Sequence, residues 1–220
     1  MSREQTLARI RAIGIIPVIR TPSADEAIAA VEALLAGGLD TVELTMSVPS
    51  AVRVIEQVVA RHGNSVLVGA GTVLDAETAR ACILAGAAYI VCPTVDAPTI
   101  RMCRTYSVPC VPGALTPTEI VQAWREGADM VKVFPCSAMG GASYIKAVRA
   151  PLPQIDLVPT GGVTLATVGD YIAAGAAAVG TGADLLDLAK LRQGDRAAVS
   201  DNARRYIAAI AAARQAKKGA

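Results

Sequence analysis

Aromatic side chains make up only 3% of this 220-residue chain, with one Phe and one Trp, and histidine occurs once. Such a composition offers almost no stacking platform, and a formal net charge of +2 leaves no basic stripe, so neither nucleic acid nor a membrane surface is expected as a partner. No apolar run approaches the ~18 residues that a membrane span requires. The five cysteines, Cys82, Cys92, Cys103, Cys110 and Cys136, are odd in number and include no C-x-x-C pair. They read as small apolar residues in a reducing compartment. Met1-Ser2-Arg3-Glu4 opens no signal peptide, and the cytoplasm is the expected location. His62, in "VVARHGN", falls where a helix would end before Gly63 and there favours the negative end of the helix dipole. With one histidine and no C-x-x-C pair, neither a histidine triad nor a zinc site is expected. Chemistry in this chain must rest on Lys, Arg and carboxylates, with no metal and no cofactor.

What the chain does have is apolar content: 53% hydrophobic against 18% charged residues, enough for one well-buried core. Short β-type runs alternate with helical stretches: "IIPVIR", "DTVELTM", "SVLVGAGT", "AYIVCP", "VPCVPG", "DMVKVFP", "IDLVPTGG" and "AAVGTG". Between the first two, "SADEAIAAVEALLAGG" carries Ser23 as a helix cap, Glu26 three residues on as in a capping box, and Gly37-Gly38 as the stop. Alternation of this kind implies a parallel sheet, and eight strand–helix units in this length imply a single closed (β/α)8 TIM barrel over residues 1–220. The sixth helix is expected to be short, because "PLPQID" interrupts it. The tail from Asp195 on reads as a long amphipathic helix whose Lys217 and Lys218 are solvated.

Of the five lysines, only Lys132 sits on a predicted strand, in "ADMVKVFPCSA". Period two puts it in phase with Met130 and Phe134, while Val131 and Val133 face the other way, and neither face looks like a solvent face. Desolvating an ammonium is costly and favours the neutral, nucleophilic amine that Schiff-base chemistry requires. "DTVELTM" sets Thr41, Glu43 and Thr45 on one face and Val42, Leu44 and Met46 on the other. The polar set must line the barrel interior, which turns Glu43 into the same cavity as Lys132. The two can form a structural ion pair, or Glu43 can serve as the proton shuttle for which no histidine is available.

Reactive groups in such barrels come from the C-terminal ends of the strands. Arg20 ends the first strand and Thr72 follows the third, and together they suit a small carboxylate such as pyruvate's. Each also has a plain role open to it, Arg20 in a rim salt bridge and Thr72 in a turn or cap. "PTGG", with Thr160, Gly161 and Gly162, and "GTG", ending at Gly182, put glycines where barrels build phosphate sites from backbone N–H groups. The turn into the final helix around Gly182 is expected to add a positive dipole end. The same glycines can be ordinary tight turns.

The segments "PVIR", "VELTMSVPSA", "VGAGTVLD", "VPGALTPTE", "VKVFP", "YIKAVRAPLP" and "VPTGGV", in this order, resemble the class I aldolases of the 2-keto-3-deoxy-6-phosphogluconate (KDPG) and 4-hydroxy-2-oxoglutarate (KHG) family over nearly the whole chain. The resemblance implies a lyase that is a homotrimer and releases pyruvate from a 2-keto-4-hydroxy acid. Lys132 would form the Schiff base and Glu43 would move protons. Arg20 and Thr72 would hold the pyruvyl carboxylate, Pro93 and Phe134 would line the pocket, and Gly161 and Gly162 would receive the phosphate. Two positions depart from the family pattern: Ser47, where some members carry arginine, and Ala183, where a serine commonly meets the phosphate. Open alternatives are cleavage of the galactonate-derived epimer, a catalytically silent barrel used as an assembly scaffold, and a phosphosugar isomerase or decarboxylase on the same fold.

Overall fold

A computed structural model describes residues 1–218 of the chain; the side chain of Lys218, expected to be solvated, lies outside the described residues. Nine parallel strand segments curl into a closed barrel. Six of them, β1 (Ile15–Ile19), β2 (Thr41–Thr45), β3 (Leu67–Gly71), β4 (Tyr89–Val91), β5 (Cys110–Val111) and β9 (Val179–Thr181), form one sheet in the order β5-β4-β3-β2-β1-β9. The remaining three, β6 (Gly113–Ala114), β7 (Val131–Val133) and β8 (Leu157–Pro159), form a second sheet in that order. Closure comes at two joints. β5 and β6 are one barrel strand interrupted by Pro112, whose nitrogen has no hydrogen to give to a ladder. The bridge Thr160↔Gly180 joins β8 to β9. Eight barrel strands result, as the alternating pattern predicts.

Helices α2 (Ala24–Ala36), α3 (Ala51–His62), α4 (Ala76–Leu84), α5 (Ala97–Thr105), α6 (Pro117–Glu126), α7 (Ala142–Arg149), α8 (Val168–Ala173) and α9 (Leu188–Arg192) follow the strands, and α10 (Arg196–Lys218) packs on α2 and α8 to complete the ring. Local chemistry starts most of them: Asp75, Asp96 and Thr116 each accept the N–H three residues on. α3 ends at His62 with Gly63 as its cap, and α7 is short, both as expected. Ser23 accepts the Glu26 N–H at 3.2 Å, yet the expected capping box is only half formed. The Glu26 carboxylate turns to Arg192 at 3.1 Å, because an ionised guanidinium is a stronger partner than a backbone N–H.

Helix α1 (Arg3–Ile13), which precedes β1, is not among the elements expected from the sequence. A capping box between Ser2 and Gln5 starts it, and Gly14 in the left-handed region stops it. Its Leu7 and Ile10 close the N-terminal end of the barrel, packing with Ile16, Leu67, Met130, Val158 and neighbouring inward residues. Val42, Leu44, Val131 and Val133 belong instead to the larger apolar cluster shared with the helices. Inward and outward faces therefore fall where period two puts them. Just above the plug, Tyr89 fills the barrel, and its hydroxyl donates to the carbonyl of Val42 at 2.7 Å. Gly69 makes room for that ring, since a Cβ there would stand 2.2 Å from it. The floor is solid and the C-terminal end is open.

Candidate active site

Above Tyr89 the inward positions become polar. β7 carries Lys132, in register with Gly113 on β6 and Val158 on β8. Its side chain is buried, and its Nζ lies 5.0 Å from the centroid of the Phe134 ring, a cation–π distance. β2 carries Glu43, in register with Val18 on β1 and Gly69 on β3. Glu43 is 2% exposed, and its Oε1 is buried without a hydrogen-bond partner. Burial pushes its carboxyl above the usual carboxylate range, while the charges of Lys132 and Arg20 pull it back. Lys132 and Glu43 do not come within the 4.0 Å of an ion pair, so the simple structural pairing is not what the barrel builds.

A cavity of about 510 Å³ opens at the C-terminal ends of the strands. Lys132, Arg20, Thr72, Pro93, Phe134, Thr160, Gly161, Gly162 and Gly182 all line it. Of the expected catalytic and substrate-binding residues, Glu43 alone is not in the wall; it lies in the buried layer behind it. Arg20 is exposed at the rim and donates through Nη2 to Thr72 Oγ1 at 3.5 Å, a long contact that leaves the guanidinium largely free for an anion. Thr72 has φ 58°, in the left-handed region where a β-branched residue is rarely found. Ser47 bonds to Thr45 at 2.8 Å.

The glycine loops differ from expectation in one respect. No helix starts at Gly182. The N–H groups of Leu185 and Leu186 donate to its carbonyl at 3.0 and 2.9 Å in a single turn, and α9 begins only at Leu188. Asp187 caps that helix, accepting from Ala189 and Lys190 at 3.0 and 3.1 Å, so those two N-terminal donors are already satisfied. An anion here would depend on loop N–H groups rather than on a helix dipole. Gly161 and Gly162 take φ of 86° and 77°, which lets the backbone after β8 fold over the cavity.

Val18, Val163, Thr164, Thr181 and Asp184 also line the cavity and were not singled out from the sequence. Val18 lies one period-two step before Arg20, so the strand phase carries that signal. Asp184 has no such signal, because its place depends on how two loops meet.

Together the barrel and the rim cavity define an enzyme acting on a small organic molecule. The family described as KDPG and KHG aldolase matches residues 7–202, and the chain belongs to that family and is an enzyme of the aldolase class, a lyase. It is 38% identical over 172 residues to the 2-dehydro-3-deoxy-6-phosphogalactonate aldolase of Escherichia coli, covering 78% of this chain and 83% of that one. Among solved structures it resembles a cube-shaped, highly porous protein cage designed by fusing symmetric oligomeric domains, with a TM-score of 0.85 and 34% identity over 94% of this chain and 75% of the other. It also resembles the KDPG aldolase of Legionella pneumophila with pyruvate captured as a covalent carbinolamine, at TM-score 0.84 and 26% identity over 91% and 97% of the two chains.

Proposed function

We propose that the chain cleaves a 2-keto-4-hydroxy acid, 2-dehydro-3-deoxy-6-phosphogluconate first among them, into pyruvate and an aldehyde through a Schiff base on Lys132. The carrying observation is a single strand lysine, buried at the wall of a rim cavity. Lys132 attacks the C2 ketone to give a carbinolamine, which loses water to an iminium. The iminium is the electron sink: Glu43 takes the C4 hydroxyl proton, directly or through a water, and the C3–C4 bond breaks to release the aldehyde. The remaining enamine is protonated at C3, and hydrolysis returns the amine and frees pyruvate. Glu43, held toward its neutral form behind the wall, can both give and take a proton. Arg20 and Thr72 would hold the pyruvyl carboxylate, and Pro93 and Phe134 would line the pocket around it; that all four line one cavity supports this reading. Among the described residues the N–H groups of Gly162 and Ala183 donate to no acceptor, which leaves them free for a distal phosphate.

The carbinolamine reported for the Legionella relative supports the covalent route. The identity to the Escherichia coli galactonate enzyme favours a second reading, in which the preferred substrate is the C4 epimer. 4-Hydroxy-2-oxoglutarate is the expected unphosphorylated substrate. The protein is proposed to work as a homotrimer in the cytoplasm; the structural likeness to a cage built from symmetric oligomeric domains supports self-association. Among the described residues no helix is long and apolar enough to cross a membrane.

Borohydride added with pyruvate tests the covalent step. A reduced adduct is expected on the one peptide that contains Lys132, with release of pyruvate abolished in Lys132→Ala. Labelling at Lys146 or Lys190, both exposed on helices, would refute it.

A further inference from the structure

Asp184 sits in the loop after β9, and its carboxylate is where three segments meet. Its Oδ1 accepts the backbone N–H of Leu165, in the loop after β8, at 2.8 Å. The same oxygen accepts the phenolic O–H of Tyr206 on α10. One turn earlier on that helix, Asn202 Nδ2 donates to the carbonyls of Asp184 and Leu185 at 2.7 and 3.0 Å. The loops are tied a second time by Thr181, whose Oγ1 donates to the carbonyl of Val163 at 3.1 Å. Tyr206 is fully buried, and burial and the neighbouring carboxylate both push its phenol above its ordinary value, so it stays a neutral donor across the working pH range.

This arrangement answers a mechanical need. Gly161 and Gly162 have no side chains with which to anchor their loop, and both take positive φ. Backbone donors bind an anion well only when they are held in place before it arrives. The Gly161 carbonyl accepts the Ser137 N–H at 3.2 Å, and beyond the glycines the segment is tied to the loop after β9 by the Thr181 bond to Val163 and by the Leu165 N–H on Asp184, the one of these that also reaches α10.

We propose that Asp184 is a positioning residue: by coupling the two glycine loops to α10 through Leu165 and Tyr206, it sets the affinity for the distal, phosphate-bearing end of the substrate without acting on the pyruvyl half. The inference rests on the reading of these loops as the distal subsite.

Three variants test it, Asp184→Ala, Asp184→Asn and Tyr206→Phe, each measured for KM and kcat with 2-dehydro-3-deoxy-6-phosphogluconate and for the rate of borohydride trapping with pyruvate. Asp184→Asn keeps an Oδ1 acceptor for both donors, whereas alanine keeps none. Losing hydrogen bonds to a charged group weakens binding by roughly tenfold or more. Asp184→Ala is expected to raise KM by about that factor with kcat nearly unchanged and pyruvate trapping at the parent rate. Asp184→Asn should recover most of the loss, and Tyr206→Phe, which removes one donor, should fall between. Should Asp184→Ala be too unstable to assay, Asp184→Asn and Tyr206→Phe still decide. The proposal is overturned if KM does not move in Tyr206→Phe or Asp184→Ala, if trapping slows in step with KM, or if asparagine is as poor as alanine. A parent enzyme that does not prefer the phosphorylated acid to 4-hydroxy-2-oxoglutarate would refute the distal subsite itself, whereas a discriminating parent with an indifferent Asp184→Ala would refute only the role of Asp184.

Discussion

Gly71 on β3 and Glu43 on β2 share one pocket of space inside the barrel: a Cβ at position 71 would stand 1.9 Å from Glu43 Oε1 and 2.4 Å from both Cγ and Cδ. The carboxylate leans along its strand over the glycine and takes the volume that any other residue would fill. That contact fixes which way the buried acid points.

Gly71→Ala is therefore expected to force the Glu43 carboxylate off its position. Overpacking of this kind costs about 1–3 kcal/mol, which for a chain of this size is a fall in Tm of roughly 2–12 °C. Turnover should drop on the order of a hundredfold, the usual share of a displaced proton-transfer group, while pyruvate trapping on Lys132 survives. Steady-state cleavage rates beside a thermal melt check this. Parent activity at parent Tm would show that the glycine does not position the acid.

Glu43→Gln separates catalysis from stability through pH. The folded-state pKa of Glu43 lies above the ordinary carboxylate value, with burial the largest cause. The folded protein thus holds a proton that the unfolded chain would release. Stability from this group is complete below the ordinary carboxylate pKa and is lost as pH rises through the folded value. Melts of parent and Glu43→Gln across pH 4 to 8 should converge at the acid end and separate in favour of the glutamine as pH rises, toward the ~1–3 kcal/mol that an unsatisfied buried group costs. Cleavage should meanwhile fall by about a hundredfold or more. A Tm difference that does not change with pH would mean Glu43 is not held toward its neutral form.

Period-two alternation along Thr41–Met46 is visible in the sequence and suffices to turn Glu43 inward, because the two faces of that strand differ so sharply. Lys132 is legible for the same reason, as a charge between two apolar faces. What lies across strands is not legible. Nothing near Gly71 in sequence marks it as the partner of Glu43, and Leu165, Asp184 and Tyr206 meet only after the barrel has closed. α1 did carry a signal, Ser2 with Gln5 and then Gly14, but its role as the barrel's plug depends on which end the strands leave open. The expected dipole at Gly182 failed for a local reason: Asp187, a better cap, starts the helix later and satisfies two of its donors.

Thr72 holds a backbone conformation that its own side chain opposes. A left-handed φ of 58° at a β-branched residue costs of order 1–3 kcal/mol and persists where the surrounding structure imposes it. Thr72→Gly should remove that strain and raise Tm by a few degrees, even after allowing about 1 kcal/mol for glycine's freedom in the unfolded chain. It also deletes the hydroxyl that faces Arg20. KM for the keto acid should rise severalfold, and Thr72→Ser, which keeps the hydroxyl, should restore it. If the glycine variant is both less stable and equally active, the strain is not stored for the site.

Ala183 tests the distal end. It is exposed and lines the cavity that holds Lys132 and an adjoining one of about 370 Å³, so an added Oγ has room beside the free loop N–H groups. With no helix dipole at Gly182, those N–H groups must carry the phosphate alone, and one more donor should count. A hydrogen bond to a charged group is worth about 1.5–3 kcal/mol, or roughly ten- to a hundredfold in affinity. Ala183→Ser is expected to lower KM for the phosphorylated acid by up to that factor and to leave 4-hydroxy-2-oxoglutarate almost unaffected, because the shorter substrate does not reach the loop. The measurement is kcat/KM for both acids in both proteins. Equal improvement of the two would place the serine's effect on the pyruvyl half, and a parent that already prefers the unphosphorylated acid would make Ala183 the mark of a different specificity.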